Sequence, residues 1–225
     1  MNSSRSLRLT AFLLVTAGVV LLGAGCSNPF VTKYKVLVDA IAAPGVVKPS
    51  GQSYRLVAKR SVISQVPVQV PVIAACVNAA LSGQGMFEAP ANAPSDLFIE
   101  VSYGMESSPR VDPSTRETFL QLSARSNPDK SMDRATGPEL WDVRVAVLGV
   151  GGQLEQAMPL LSSVAANYLA TDTRLETQME VPQNSPMISA VRESALKTLE
   201  SKAAAAKAAA APPPLAPPPT AAATR

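Results

Sequence analysis

Histidine is absent from the 225 residues. Without an imidazole the chain cannot build a Ser-His-Asp or Cys-His nucleophile, and nearly every zinc site is closed to it. Cysteine is almost as scarce, with Cys26 and Cys76 alone. Aromatic residues make up 4% of the chain and charged residues 16%, and the basic ones are dispersed instead of interleaved with aromatics, which argues against a nucleic-acid groove. An excess of one charge is lacking too. Lys and Arg number 20 against 17 Asp and Glu, and removal of the segment holding Arg5 and Arg8 leaves 18 against 17. A balance so close to neutral gives no electrostatic reason to expect a nucleic-acid partner. At about 100–200 residues per domain, the length suits one globular domain with appendages.

What is present begins with an address. Met1 to Arg8 is polar and basic, and Leu9 to Leu22 is apolar except for Thr10 and Thr16. That run is short of the roughly 20 residues needed to cross a bilayer. It fits the apolar section of a secretory signal, about 7–15 residues after a positive start. Gly23-Ala24-Gly25-Cys26 follows, and small residues directly before a cysteine resemble a bacterial lipobox. Ala24, Gly25 and Cys26 match that pattern; Gly23 departs from it, because the usual leucine is displaced to Leu22. The resemblance implies a signal peptide over 1–25, cleavage by lipoprotein signal peptidase, a diacylglyceryl group on the Cys26 sulfur and acylation of its new amine. The alternative is ordinary cleavage near Ala24 or Gly25, which leaves a soluble secreted protein. Each buried methylene contributes about 0.8 kcal/mol, so two or more chains anchor lastingly where one does not. With Cys26 acylated, Cys76 has no partner for an intramolecular disulfide. Among Ala and Val it reads as a small core residue.

After a tether over 26–32, period-two alternation marks strands at 33–41, 53–58, 96–103, 118–124, 141–147 and 174–181. Trp141, Val143, Val145 and Val147 are expected inward against Asp142, Arg144 and Ala146. Leu175, Met179 and Val181 are expected inward against Glu176, Gln178 and Glu180. Helical spacing picks out Val72, Ile73, Cys76, Val77, Ala80 and Leu81, with Gly83 and Gly85 as a stop. A second helix is expected near 158–170, with Pro159 in its first turn. A third follows Ser185-Pro186 and carries Ile188, Val191, Ala195 and Leu199. The order β-β-α-β-β-β-α-β-α predicts an α+β domain over residues 33–200, a two-layer sandwich of mainly antiparallel sheet covered by two or three helices. Residues 126–138 read as an exposed connection. The 201–225 segment is Ala/Pro-rich and of low complexity; its alanines can extend the last helix, and Pro212 must end it. The remainder is expected as a disordered tail or a semi-rigid polyproline arm.

Candidate chemistry is sparse. Gly149-Val150-Gly151-Gly152-Gln153-Leu154 has the strand-to-helix context of a dinucleotide loop, but Leu154 occupies the third glycine position, so a turn is the reading. Ser194 and Lys197 spell S-x-x-K without the S-D-N and K-T-G elements of penicillin-binding enzymes, which leaves a solvated helix face. Asp39, Asp96 and Asp142 flank or interrupt strands, and Asp112, Asp129, Asp133 and Asp172 are scattered without calcium-loop spacing. No catalytic, cofactor-binding or metal-binding residue is assigned.

Four segments, Gly51 to Leu56 (GQSYRL), Val101 to Gly104 (VSYG), Leu140 to Val145 (LWDVRV) and Tyr168 to Thr173 (YLATDT), resemble in order a family of bacterial envelope lipoproteins built on a domain of unknown function. The resemblance covers about residues 30–195 and implies a non-enzymatic envelope module. Ser27, which is not Asp, implies by the same kind of resemblance sorting to the outer membrane, facing the periplasm. Tyr54, Tyr103 and Trp141 then read as structural aromatics. The expected function is protein–protein contact, as an accessory to an envelope complex, with the membrane held through lipid on Cys26 and with no cofactor, metal or nucleic acid. A small-ligand or lipid carrier with an apolar cavity between helices and sheet is the alternative.

Overall fold

The structure is a computed structural model that describes residues 32–58, 70–108, 115–149 and 154–209. The signal segment, Cys26, the 150–153 part of the glycine turn, Asp112 and the tail from residue 210 lie outside the described residues. Ten elements follow in order: β1 (Lys33–Ala42), β2 (Ser53–Ala58), α1 (Val70–Ser82), β3 (Phe87–Glu88), β4 (Leu97–Ser107), β5 (Arg116–Ser126), β6 (Glu139–Leu148), α2 (Leu154–Asn167), β7 (Thr177–Pro182) and α3 (Pro186–Ala209). The class is α+β, three helices over one seven-stranded sheet in the order β3-β2-β4-β5-β6-β1-β7.

The sheet is mixed in direction. β4, β5, β6, β1 and β7 pair antiparallel in succession, whereas β2 runs parallel to both β3 and β4. A parallel pair needs a crossover, and α1, lying between β2 and β4 in the chain, supplies it. Alternation works as expected on the covered face: Val36, Val38, Ile99, Leu120, Val143, Val145 and Val147 are wholly buried, and they join the helix side chains in one core. Tyr54 and Trp141 are buried in the same core, and Tyr103 packs against its edge.

On the opposite face the second cluster consists of strand residues alone, Leu37, Phe119 and Ala146 with Leu148 beside them. Ala146, expected outward toward solvent, is therefore buried on that face because Phe119 and Leu37 stand directly across from it.

Several boundaries differ from expectation: β4 runs four residues past the expected end at 103, to Ser107, and β5 starts at Arg116, two residues before 118. α2 begins at Leu154, one turn early, which places Pro159 inside the helix; burial of Leu154, Ala157 and Met158 holds the extra turn although Pro159 gives up a backbone hydrogen bond. β7 starts only at Thr177, because Arg174 adopts a left-handed φ of 58°, and Leu175 is 79% exposed. The two-residue β3, too short for any periodicity, was not expected. Gly85, at φ +81°, makes the sharp stop after α1 and lies where a Cβ would meet the Ser50 hydroxyl at 3.0 Å. α3 runs through the alanines to Ala209, the extension their helix propensity allows, with residues 200–209 all exposed. Among the described residues no helix is long and apolar enough to cross a membrane.

Candidate functional site

Among the described residues the helices cover one face of the sheet, and polar side chains of the other face meet each other across strands. β4 and β5 form a hairpin whose register sets Glu106 opposite Glu117, Gly104 opposite Phe119 and Ser102 opposite Gln121. β6 then sets Arg144 beside Gln121, and β1 sets Asp39 beside Arg144. From this lattice Arg144 reaches two carboxylates at once. Its Nη2 donates to Glu117 Oε1 at 3.1 Å and to Glu106 Oε1 in a close ion pair. Its guanidinium carbon lies 4.1 Å from the centroid of the Phe119 ring, a cation–π geometry.

Two carboxylates thus share one guanidinium. The Glu117 side chain is only 3% exposed, and its Oε2 is buried with no hydrogen-bond partner. Burial raises the Glu106 carboxyl above its ordinary range, a hydrogen bond with Glu117 raises it further, and Arg144 opposes both. One row further, Asp142 accepts from Gln121 Nε2 at 2.9 Å and from the Ser123 hydroxyl.

Asp96 organises a different corner. It accepts from the Ser53 backbone N–H at 2.8 Å and the Ser53 hydroxyl at 2.6 Å, and pairs with Lys130. Lys130 first and Ser53 second hold its carboxyl down at about 2. Asn127, 1% exposed, donates to the carbonyls of Ser95 and Ser131 at 2.8 Å each, so the 126–138 connection is pinned at its start and exposed beyond it. These are structural ties between strand ends and a loop.

The other candidates stay apart. Asp129, Asp133 and Asp172 are exposed in loops, as are Ser194 and Lys197 on α3. Leu154 turns into the core at 4% exposure, which fits a turn and not a phosphate cradle. Burial pushes the Cys76 thiol up to about 11. Tyr54 donates to Asn78 Oδ1 at 2.9 Å. Among the described residues no group of three Cys, Asp or Glu could hold a metal ion.

The helix layer carries two grooves. One of about 360 Å³ lies between the three helices beside Val72, Cys76, Pro159, Arg192 and Leu196. The other, about 410 Å³, is lined by Ala79, Ser163, Asn167 and Met187. A hollow of about 210 Å³ sits between α1 and the β2–β4 side of the sheet, beside Leu56, Ile73, Val101 and Tyr103.

Sequence reasoning missed the Glu106–Glu117–Arg144 cluster. Its signal was the spacing: Glu106 and Glu117 end and begin two consecutive strands, and antiparallel pairing of those strands brings the two glutamates face to face.

No protein-family model and no curated protein matches the chain. Among solved structures it is similar to the PelC dodecamer from Paraburkholderia phytofirmans in two crystal forms. A leucine-to-methionine variant aligns at TM-score 0.40 and 11% identity, over 60% of this chain and 98% of that one. The second form aligns at TM-score 0.40 and 10% identity, over 61% and 99%. At that score neither fold nor chemistry carries over.

Proposed function

We propose that the chain is a lipid-anchored lipoprotein of the bacterial envelope, held in the outer membrane through Cys26 and facing the periplasm. It is non-catalytic and acts by protein–protein contact as an accessory to an envelope complex. The address rests on the pattern from Arg5 to Cys26. The contact rests on one observation, the sheet face opposite the helices. Its four central strands, β4, β5, β6 and β1, are ten or eleven residues long. At about 3.3 Å per residue and 4.8 Å between strands, that face offers roughly 600 Å². A standard interface takes about 800 Å² from each partner. Leu37, Phe119 and Ala146 are buried on that face, so its accessible part is the half-buried polar surround of Asp39, Glu100, Gln121 and Asp142. Ile41 and Val57, on the same face by register, are 61% and 39% exposed.

The test is photo-crosslinking in intact cells from residues placed at Ile41 and Val57, with Leu196 on α3 as the control. Reproducible recovery of one envelope protein from the first two positions and not from the third is the expected result. Equal, unspecific recovery from all three defeats the contact reading.

The carrier alternative draws support from the two grooves along α3 more than from the smaller hollow between helix and sheet. Native mass spectrometry of protein extracted from membranes separates the two readings, since a carrier retains a bound apolar molecule of one mass.

A further inference from the structure

We propose that Glu106 and Glu117 share a bound proton, so that the sheet carries a built-in acid latch joining β4, β5 and β6. Two ionised glutamates beside one arginine leave a net negative charge in a spot where Glu117 is 2% exposed. Ion pairing to Arg144 uses Glu117 Oε1, and Oε2 remains a buried acceptor without a donor. Leaving such an atom unsatisfied is costly, more so for a charged group. Arg144 already serves both carboxylates through one nitrogen. The carboxyl directly opposite Glu117 across the β4–β5 pair is Glu106, which can donate only when protonated.

A proton on Glu106 resolves both difficulties together. Its O–H donates to Glu117 Oε2, and the cluster becomes neutral, one carboxylate against one guanidinium. Two carboxyl groups held this close cannot both ionise without raising the affinity of one for a proton, and the macroscopic steps belong to the pair. Among the described residues the other charged groups facing the cluster are few. Asp39 stands beside Arg144 from β1. Lys35 of β1 lies one strand beyond Leu148, the residue opposite Glu117, and is itself matched with Glu180 of β7. Asp142 of β6 and Glu100 of β4 lie further along the same face, with Asp142 held by Gln121 and Ser123. Asp39 adds to the demand for a proton and Lys35 reduces it.

The sign follows from the raised position of the Glu106 carboxyl relative to its ordinary 4.5. The native state binds the proton more tightly than the unfolded chain, so the stabilisation is complete below the ordinary value and is lost as pH rises through the native one. Over the intervening window the full mature chain loses up to about 3–5 °C of unfolding midpoint per pH unit, one proton's linkage for a chain of this length.

The experiment follows the midpoint from pH 4 to 9 for wild type, Glu106→Gln and Glu117→Gln, alongside a carbon NMR titration of the wild-type glutamate carboxyls. Each amide donates where the proton would sit. Both variants are therefore expected to match wild type near pH 5, to exceed it at pH 8–9 and to lose its slope. In wild type the Glu106 carboxyl carbon is expected to titrate above the ordinary range. A Glu106 carbon titrating near 4.5, or variants weakened equally at every pH with the slope retained, overturns the proposal. So does a wild-type midpoint at pH 8 that rises with added sodium or calcium and stays unmoved in Glu106→Gln, since a cation then fills the place assigned to the proton.

Discussion

Single side chains in this protein serve either as ties or as filler, and the two behave oppositely toward pH and reagents. Asp96 is a tie. It joins the start of β2, through Ser53, to the start of β4 and to the loop bearing Lys130. With its carboxyl held near 2 against an ordinary 3.8, its contribution is present above the ordinary value and disappears as pH falls through about 2. The side chain is 37% exposed, which discounts the ion pair. Asp96→Asn is expected to lose about 1 kcal/mol at pH 7, chiefly through the weakened Ser53 bonds. Denaturant midpoints of variant and wild type should converge by pH 2, and a constant gap across that range contradicts the assignment. Cys76 is filler. It is 2% exposed and its thiol is pushed up to about 11, so little thiolate exists at neutral pH and reagent cannot reach it. A chromogenic disulfide at pH 8 is expected to leave Cys76 unreacted in the folded chain and to titrate it fully in denaturant.

At the scale of elements, stability is concentrated in the middle of the helix layer and fades along α3. α2 touches β5, β6 and both other helices, and Leu161 is wholly buried in it. Leu161→Ala is expected to cost about 2–5 kcal/mol. A chain stopped after Glu200 is expected to unfold within about 0.5 kcal/mol of the full chain, since residues 200–209 are exposed throughout. Thermal scans of the two variants check the contrast. The same distribution explains what could be read from sequence. Val143 stands between Asp142 and Arg144, and Val36, Ile99 and Leu120 each have one polar neighbour; all four sit on the covered face, because one buried face enforces period two. Ile188, Val191 and Ala195 likewise mark the buried stripe of α3. Leu175 fits the same alternation, but a left-handed Arg174 takes it out of the ladder, and no hydropathy pattern encodes that turn. The parallel pairing of β2 depends on a crossover, a tertiary choice absent from local periodicity. The glutamate–arginine cluster was missed because strands read as 96–103 and 118–124 leave Glu106 and Glu117 outside them, and because Arg144 joins only once β6 is in register with β5.

For the whole molecule, the anchoring reading separates address from body. β1 opens at Lys33 and is paired on both sides, with β6 and with β7, so the fold's first contribution comes seven residues after Cys26. A stretch of that length spans at most about 25 Å, and a body tied by it stays close to the bilayer surface. Among the described residues no buried core residue precedes Val36, so a change at Cys26 touches none of the packing described. Cys26→Ala is therefore expected to leave the unfolding midpoint within about 1 °C of wild type, as for a substitution touching no packed group. The same change is expected to move the protein out of the membrane pellet, because the acyl chains supply the attachment. Fractionation of the envelope measures the second effect and calorimetry the first, while mass spectrometry of the mature amino-terminal peptide reads the acyl groups directly. An unmodified Cys26 thiol, or a variant that still pellets with membrane, refutes the anchor and leaves the sheet face opposite the helices as the feature on which a function must be rebuilt.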